Sequence, residues 1–284
     1  PGALELNIPW RWKLAGNEEL GTWLLAIRQS LITGQQIDVR DSPDCVEWVC
    51  LDGPDVWSKQ LNAANTRSPV PTGGSLIMAK WPSEQAEFAR KIPGASKVEN
   101  ADLSELQTFA SSFSLNDPEC LNTLFTFAAS VMTGIDRTAL RSRLNSIRNN
   151  TIRNPPSPLE AAILDFQVFP NHSQAALILS EFSRDVGVRV FRQELLRSAI
   201  KALNAAAAGQ GDALLDLTIS IRDQMRHAGR TLPKKAVGST LLFKGLEADV
   251  SIILDADSMD HHDLYVALTR GARKVVICWK TPFL

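Results

Sequence analysis

Apolar residues recur at three- and four-residue spacing after Asn17. Leu20, Trp23, Leu24, Ile27 and Leu31 line one face of a helix that Asn17 can cap and Gly34 can end. The pattern then turns to alternation. Residues 45–51 (CVEWVCL) read as a strand entered through Pro43 and left through Gly53-Pro54. A polar stretch from Trp57 to Arg67 is compatible with a helix, and Pro69, Pro71, Gly73 and Gly74 mark a loop. Residues 75–79 (SLIMA) are continuously apolar, as a strand covered on both faces would be. Ser83 can cap the helix that follows, which carries Ala86, Phe88, Ala89 and Ile92. After a brief strand at 95–98, Asp102 with Glu105 three residues on reads as a carboxylate form of the capping box. Strand, helix, strand, helix with short joins predicts a parallel α/β sheet.

The character changes near Asn116. From there to about Leu232 the pattern is helical, with almost no strand signal. Asp117-Pro118 and Asn171 begin helices, Gly187 and Gly209 break them, and residues 154–158 (NPPSP) form a stiff linker. After Lys235 the α/β pattern returns. Strands are expected at 239–243 and 250–254, a helix at 263–271 and a last strand at 274–279 (KVVICW). The chain thus reads as a helical block, 113–235, inserted into a sheet domain made of 40–112 and 236–284.

Composition narrows the functional classes. A chain of 284 residues predicts about two domains. With 30 Lys+Arg against 31 Asp+Glu, the net charge of -1 excludes nucleic-acid binding by bulk charge, so any such contact must use local patches. No apolar run reaches the roughly 18 residues of a membrane span, and the first residues show no secretory signal. Cysteines at 45, 50, 120 and 278 fit a reducing compartment, so a cytoplasmic location is expected. A chain that enters structure almost directly after Pro1 reads as an excised fragment. No metal site is expected: His261 and His262 are adjacent and cannot share a helix face, and Cys45 and Cys50 lack a second pair.

Two short segments carry the chemistry. Lys244-Gly245-Leu246-Glu247 lies between two expected strands, and residues 264–270 (LYVALTR) follow with helical spacing. Taken singly, the first is a charged turn and Arg270 a helix-end residue offsetting the dipole. KGLE, a strand ending at Asp255, LYVALTR and a further apolar strand, in that order, resemble the C-terminal signature of UvrD/Rep-like superfamily 1A DNA helicases. Residues 6–11 (LNIPWR) resemble the family's Leu, three residues, aromatic, Arg element, with Trp10 where the family has Tyr.

The resemblance implies a RecA-like parallel α/β sheet of the P-loop NTPase type with an inserted all-helical subdomain. It makes residues 1–39 the tail of the first RecA-like lobe and the rest of the sheet domain the second lobe. By position, Arg11 and Arg270 become the catalytic arginines that read the γ-phosphate of ATP, one from each lobe. Arginine suits that task because its planar fork binds phosphate bidentately and keeps its charge. Trp10 becomes the ring that stacks on adenine, Glu247 the acceptor for the ribose, and Gly245 the residue that lets backbone approach the phosphates. As a helix-end residue, Arg270 is expected to add little to folding. Arg11 read alone is a surface arginine beside two buried tryptophans.

Departures from the family's pattern also shape the expectation. No G-x-x-x-x-G-K-[ST] loop and no strand-end Asp-Glu pair occur, so the chain alone is expected not to hydrolyse ATP, and the Mg²⁺ ligands of the intact enzyme lie elsewhere. The first lobe would then be supplied in cis or by a partner chain; a non-catalytic helicase-like module binding DNA or a protein is the alternative. Where the family often has a Thr and a His before KGLE, this chain has Ser239-Thr240-Leu241. Ser239 and Thr240 are the candidate contacts to single-stranded or forked DNA. Arg222, Arg226 and Arg230, four residues apart, could track a phosphate backbone or simply form a solvated helix face. The same two readings apply to Arg137, Arg141, Arg143, Arg148 and Arg153.

Overall fold

A computed structural model describes residues 8–209, 213–227 and 232–283, with the side chains of Arg226 and His227 outside the description. In chain order, the first part contains α1 (Trp10–Leu14), α2 (Glu18–Thr33), β1 (Val46–Cys50), α3 (Val56–Ala64), β2 (Ser75–Met78), α4 (Pro82–Lys91) and β3 (Ala95–Lys97). Then come α5 (Ser104–Ser112), α6 (Cys120–Val131), β4 (Met132–Thr133), α7 (Arg137–Arg148), α8 (Pro158–Val168), α9 (His172–Arg184) and β5 (Arg189–Val190). The last elements are α10 (Gln193–Ala207), α11 (Leu214–His227), β6 (Lys235–Gly238), β7 (Ala248–Ile253), α12 (His261–Leu268) and β8 (Gly271–Trp279).

The described residues fall into two compact units, within Pro1–Val98 plus Leu232–Leu284 and within Glu99–Thr231. The first unit is built on a six-stranded sheet of order β1-β8-β7-β2-β6-β3 in which every pairing is parallel. Parallel strands need crossovers that cover both faces, which explains the apolar runs. Leu76, Met78, Val275 and Ile277 share a core with Trp12, Leu20 and Leu24 of α1 and α2 and with Leu264 of α12. The intervening Ile77, Ile252 and Val276 are also fully buried. Trp57 of α3 and Phe88 of α4 meet with ring centroids 4.5 Å apart.

The second unit is helical apart from the two-residue antiparallel pair of β4 and β5, among the described residues. It begins at Glu99 rather than at 113, because α5 joins its core: Phe109 stacks on Phe127 of α6 at 4.3 Å between centroids. Ser157 and Glu160 form a reciprocal capping box at the start of α8, with bonds of 3.2 and 2.8 Å. Arg192, at the start of α10, is buried with its guanidinium against two carboxylates. Its Nε and Nη2 lie 2.7 and 2.6 Å from the two oxygens of Glu99, and Nη1 reaches Glu105. Burial works against that charge, but the bonds to Glu99 and Glu105 outweigh it and hold the guanidinium pKa above its ordinary value.

Several local expectations change. The apolar stretch 239–243 is not a strand: β6 ends at Gly238, and a run of turns follows in which Phe243 is fully buried. The apolar residues there anchor a loop under the core, a use that periodicity cannot separate from a strand. Asp102 does not cap α5; Leu103, in a left-handed conformation at φ 46°, precedes the helix, and Glu105 turns to Arg192. Trp81 rather than Ser83 precedes α4, with Pro82 at its first turn. Asn17 sits at the cap position of α2, but its amide is used elsewhere. Among the described residues, no helix is long and apolar enough to cross a membrane.

Candidate functional site

β7 and β8 are parallel neighbours with Ala248 beside Gly271 at their N-terminal ends. The residues just before each strand therefore meet: Leu246-Glu247 before β7 and Thr269-Arg270 before β8. Gly245 turns the chain into β7 at φ 81°, where an L side chain is strained, and a Cβ there would meet nothing within 4 Å. Glycine is thus required by the turn and leaves open space beside it. At Gly271 crowding makes the demand, since a Cβ would stand 2.5 Å from the Lys274 carbonyl.

Helix α1 and the turn after it are pinned to the same edge. Trp12 Nε1 donates to the Gly271 carbonyl at 2.9 Å, and Asn17 Nδ2 donates to the Arg273 carbonyl at 2.9 Å. Those two bonds set α1 so that Arg11 lies over the Trp12 ring, 4.7 Å from its centroid. Arg11 Nε is 2.7 Å from Glu247 Oε2, and its Nη1 donates to the Thr269 carbonyl.

Arg270 enters from the end of α12. Its Nε donates to the Val266 carbonyl at 2.9 Å, Nη1 to the Leu246 carbonyl at 2.9 Å and Nη2 to Thr269 Oγ1 at 3.0 Å. Burial, and then the nearby Arg11 guanidinium, lower its pKa, while Glu247 acts the other way. An arginine keeps its charge through such a shift. The result is two fixed cations near one carboxylate, which pairs with Arg11 and acts on Arg270 only through space. Glu247 is 59% exposed, so water screens much of its attraction. The carbonyls orient both guanidinium groups but carry no net charge. An excess of positive charge in forked, donor-rich groups is suited to a phosphate.

No family model matches the chain, and no curated protein matches it significantly.

The other candidate residues are distributed unevenly. Trp10 starts α1 and is 55% exposed, with Lys13 Nζ 5.5 Å from its ring centroid. Ser239 and Thr240 follow β6 and so lie at the C-terminal edge of the sheet, opposite the arginines. Thr240 is 8% exposed and its hydroxyl donates to Asp263 Oδ1 at 2.7 Å; the Ser239 hydroxyl accepts from the Leu242 amide at 3.3 Å. In this conformation the Thr240 hydrogen is spent inside the protein and does not reach a phosphate. Arg222 pairs with its neighbour Asp223 at 2.9 Å, which reduces the charge it offers. The Arg226 side chain and Arg230 lie outside the described residues.

Trp12 and Thr269 were not legible as neighbours of the candidate arginines in space. Both sit next to a candidate arginine, and adjacency was the only signal. Their roles come from bonds across the fold, which spacing does not carry.

Proposed function

We propose that the chain is the C-terminal portion of an ATP-dependent DNA helicase of the UvrD/Rep type, supplying a second RecA-like lobe and its helical insertion. The observation that carries this reading is the meeting of Arg11 and Arg270, from opposite ends of the chain, around Glu247. In this reading ATP lies between this edge and the first lobe. The triphosphate draws both arginines, Trp10 covers the adenine, and Glu247 exchanges Arg11 for the ribose hydroxyl. Positive charge placed at the γ-phosphate lowers the barrier to its transfer to water. Lobe closure on ATP and release after hydrolysis move the enzyme along single-stranded DNA in the cytoplasm. Mg²⁺ and the phosphate loop are held by residues outside this chain.

A second reading, a module that binds DNA or a protein without turnover, is favoured by the absence of a phosphate loop and of a strand-end Asp-Glu pair from the sequence. The product of the whole reading frame separates the two. The helicase reading expects an in-frame G-x-x-x-x-G-K-[ST] upstream of Pro1, ATP hydrolysis stimulated by single-stranded DNA, and no hydrolysis by the 284-residue chain alone. A frame without that loop, and no genomic neighbour encoding it, would sink the reading. So would DNA-stimulated turnover by the isolated chain.

A further inference from the structure

The helical unit holds a cleft of about 650 Å³, within the size range of ligand-binding pockets. One wall is a single face of α7, on which Arg141, Leu144, Asn145 and Arg148 follow at i, i+3, i+4 and i+7. The floor is apolar: Leu121 and Phe125 of α6 and Phe166 of α8. At the rim, Val168 and Phe169 lie in the chain between the lining residues Gln167 and Pro170. They are 67% and 76% exposed, so apolar surface continues next to the cleft.

Charge in the cleft is unbalanced. Of the α7 arginines, Arg143 is paired with Glu160, and Arg137 donates to the Phe125 carbonyl. Neither lines the cleft. Arg148 donates to the neutral amide of Gln167, and Arg141 makes no hydrogen bond or ion pair among the described residues. Asp117 is the one acid in the lining, and its Oδ1 already accepts from the Glu119 amide at 2.8 Å. Both cations are exposed, above a floor that water solvates poorly.

We propose that this cleft docks a short acidic segment of a partner protein, with apolar side chains on the floor and a carboxylate on each of Arg141 and Arg148. Seven residues of helix set those arginines about 10.5 Å apart along α7. That is close to the about 9.3 Å of one three-residue polyproline II turn, which brings positions i and i+3 back to one face, so the matching segment is acidic–apolar–apolar–acidic. A nucleic acid fits less well: Phe125 and Phe166 are buried in the floor and cannot stack on bases. The inference is independent of the nucleotide reading, since it rests on other residues in the other unit.

The test is fluorescence polarisation with a labelled Asp-Leu-Phe-Glu peptide flanked by Gly-Ser, on the 284-residue chain. Arg141→Glu and Arg148→Glu should each weaken binding about tenfold or more, as should replacing Leu-Phe by Ser-Ser. Arg153→Glu, in the same basic run but not in the lining, should change it less than about twofold. Both target arginines are exposed, so reversing them leaves the fold intact, and circular dichroism checks that. The proposal is overturned by no binding up to about 1 mM peptide. It is also overturned if the Ser-Ser peptide or a thymidine oligonucleotide binds as well as the probe. An equal loss in Arg153→Glu would reduce the cleft to a general charge patch.

Discussion

Arg192 in the helical unit and the Arg11–Arg270 pair in the sheet unit solve opposite electrostatic problems. Arg192 is one cation between two carboxylates, 5% exposed and held at both forks. Arg11 and Arg270 are two cations around one exposed carboxylate, steered by the carbonyls of Thr269, Val266 and Leu246. In the first arrangement the arginine's charge is fully met, and Arg192 has nothing left to offer an anion. The second holds its charge in place without cancelling it. A buried ion cluster by itself is weak evidence for function, but an uncancelled pair at an open edge points to an anion.

Breaking the Arg192 cluster should cost the most stability. Arg192→Ala removes the bidentate cation from a buried carboxylate, and urea unfolding should show a loss of about 3–5 kcal/mol. A loss under about 1 kcal/mol would mean that the guanidinium does not hold the buried carboxylate as described.

The uncancelled pair should act on turnover instead. In the product of the whole reading frame, Arg270→Ala should lower kcat about 10³-fold or more, roughly 4 kcal/mol of barrier. ATP affinity should fall much less, because the interaction strengthens in the transition state. Arg273→Ala is the control; its Nε is 3.0 Å from Asp249, away from the pair, and turnover should stay within about twofold. Arg270 is not structurally idle, contrary to its reading as a helix-end residue. It donates to two carbonyls and a hydroxyl, so its removal should also cost about 1–2 kcal/mol of stability. A wild-type rate for Arg270→Ala would collapse the contrast with Arg192.

A smaller effect tests the neutral scaffold. Trp12→Phe keeps an aromatic ring under Arg11 but deprives the Gly271 carbonyl of its donor, and should cost about 1–2 kcal/mol. Unchanged stability would show that α1 is held to the edge without the Trp12 bond.

Much of the sheet unit was legible. Runs such as SLIMA and KVVICW are apolar because strands covered on both faces are buried throughout, and that signal survives without knowledge of the partners. The run at 239–243 failed because a buried loop anchor such as Phe243 looks the same as a strand residue. The boundary of the helical unit was placed late because α5 carries its own apolar face, and only the Phe109–Phe127 stack reveals which core it joins. The candidate residues that meet at one edge, Arg11, Glu247 and Arg270, are ones that the two motifs name. Trp12 and Thr269 act through long-range bonds and left no trace in the spacing. Ser239 and Thr240 were grouped with DNA by order in the chain. The Thr240–Asp263 bond depends on where α12 begins in space.

The most direct test of the excess charge uses the arginine side chains as reporters. Nε–Hε resonances of the 284-residue chain can be followed by nuclear magnetic resonance during a titration with tripolyphosphate. Arg11 and Arg270 should shift together and saturate at about millimolar concentration, Arg192 should stay fixed, and Arg270→Ala should abolish the Arg11 shift. Stationary Arg11 and Arg270 signals up to about 10 mM, or an Arg192 shift as large as theirs, would contradict the account.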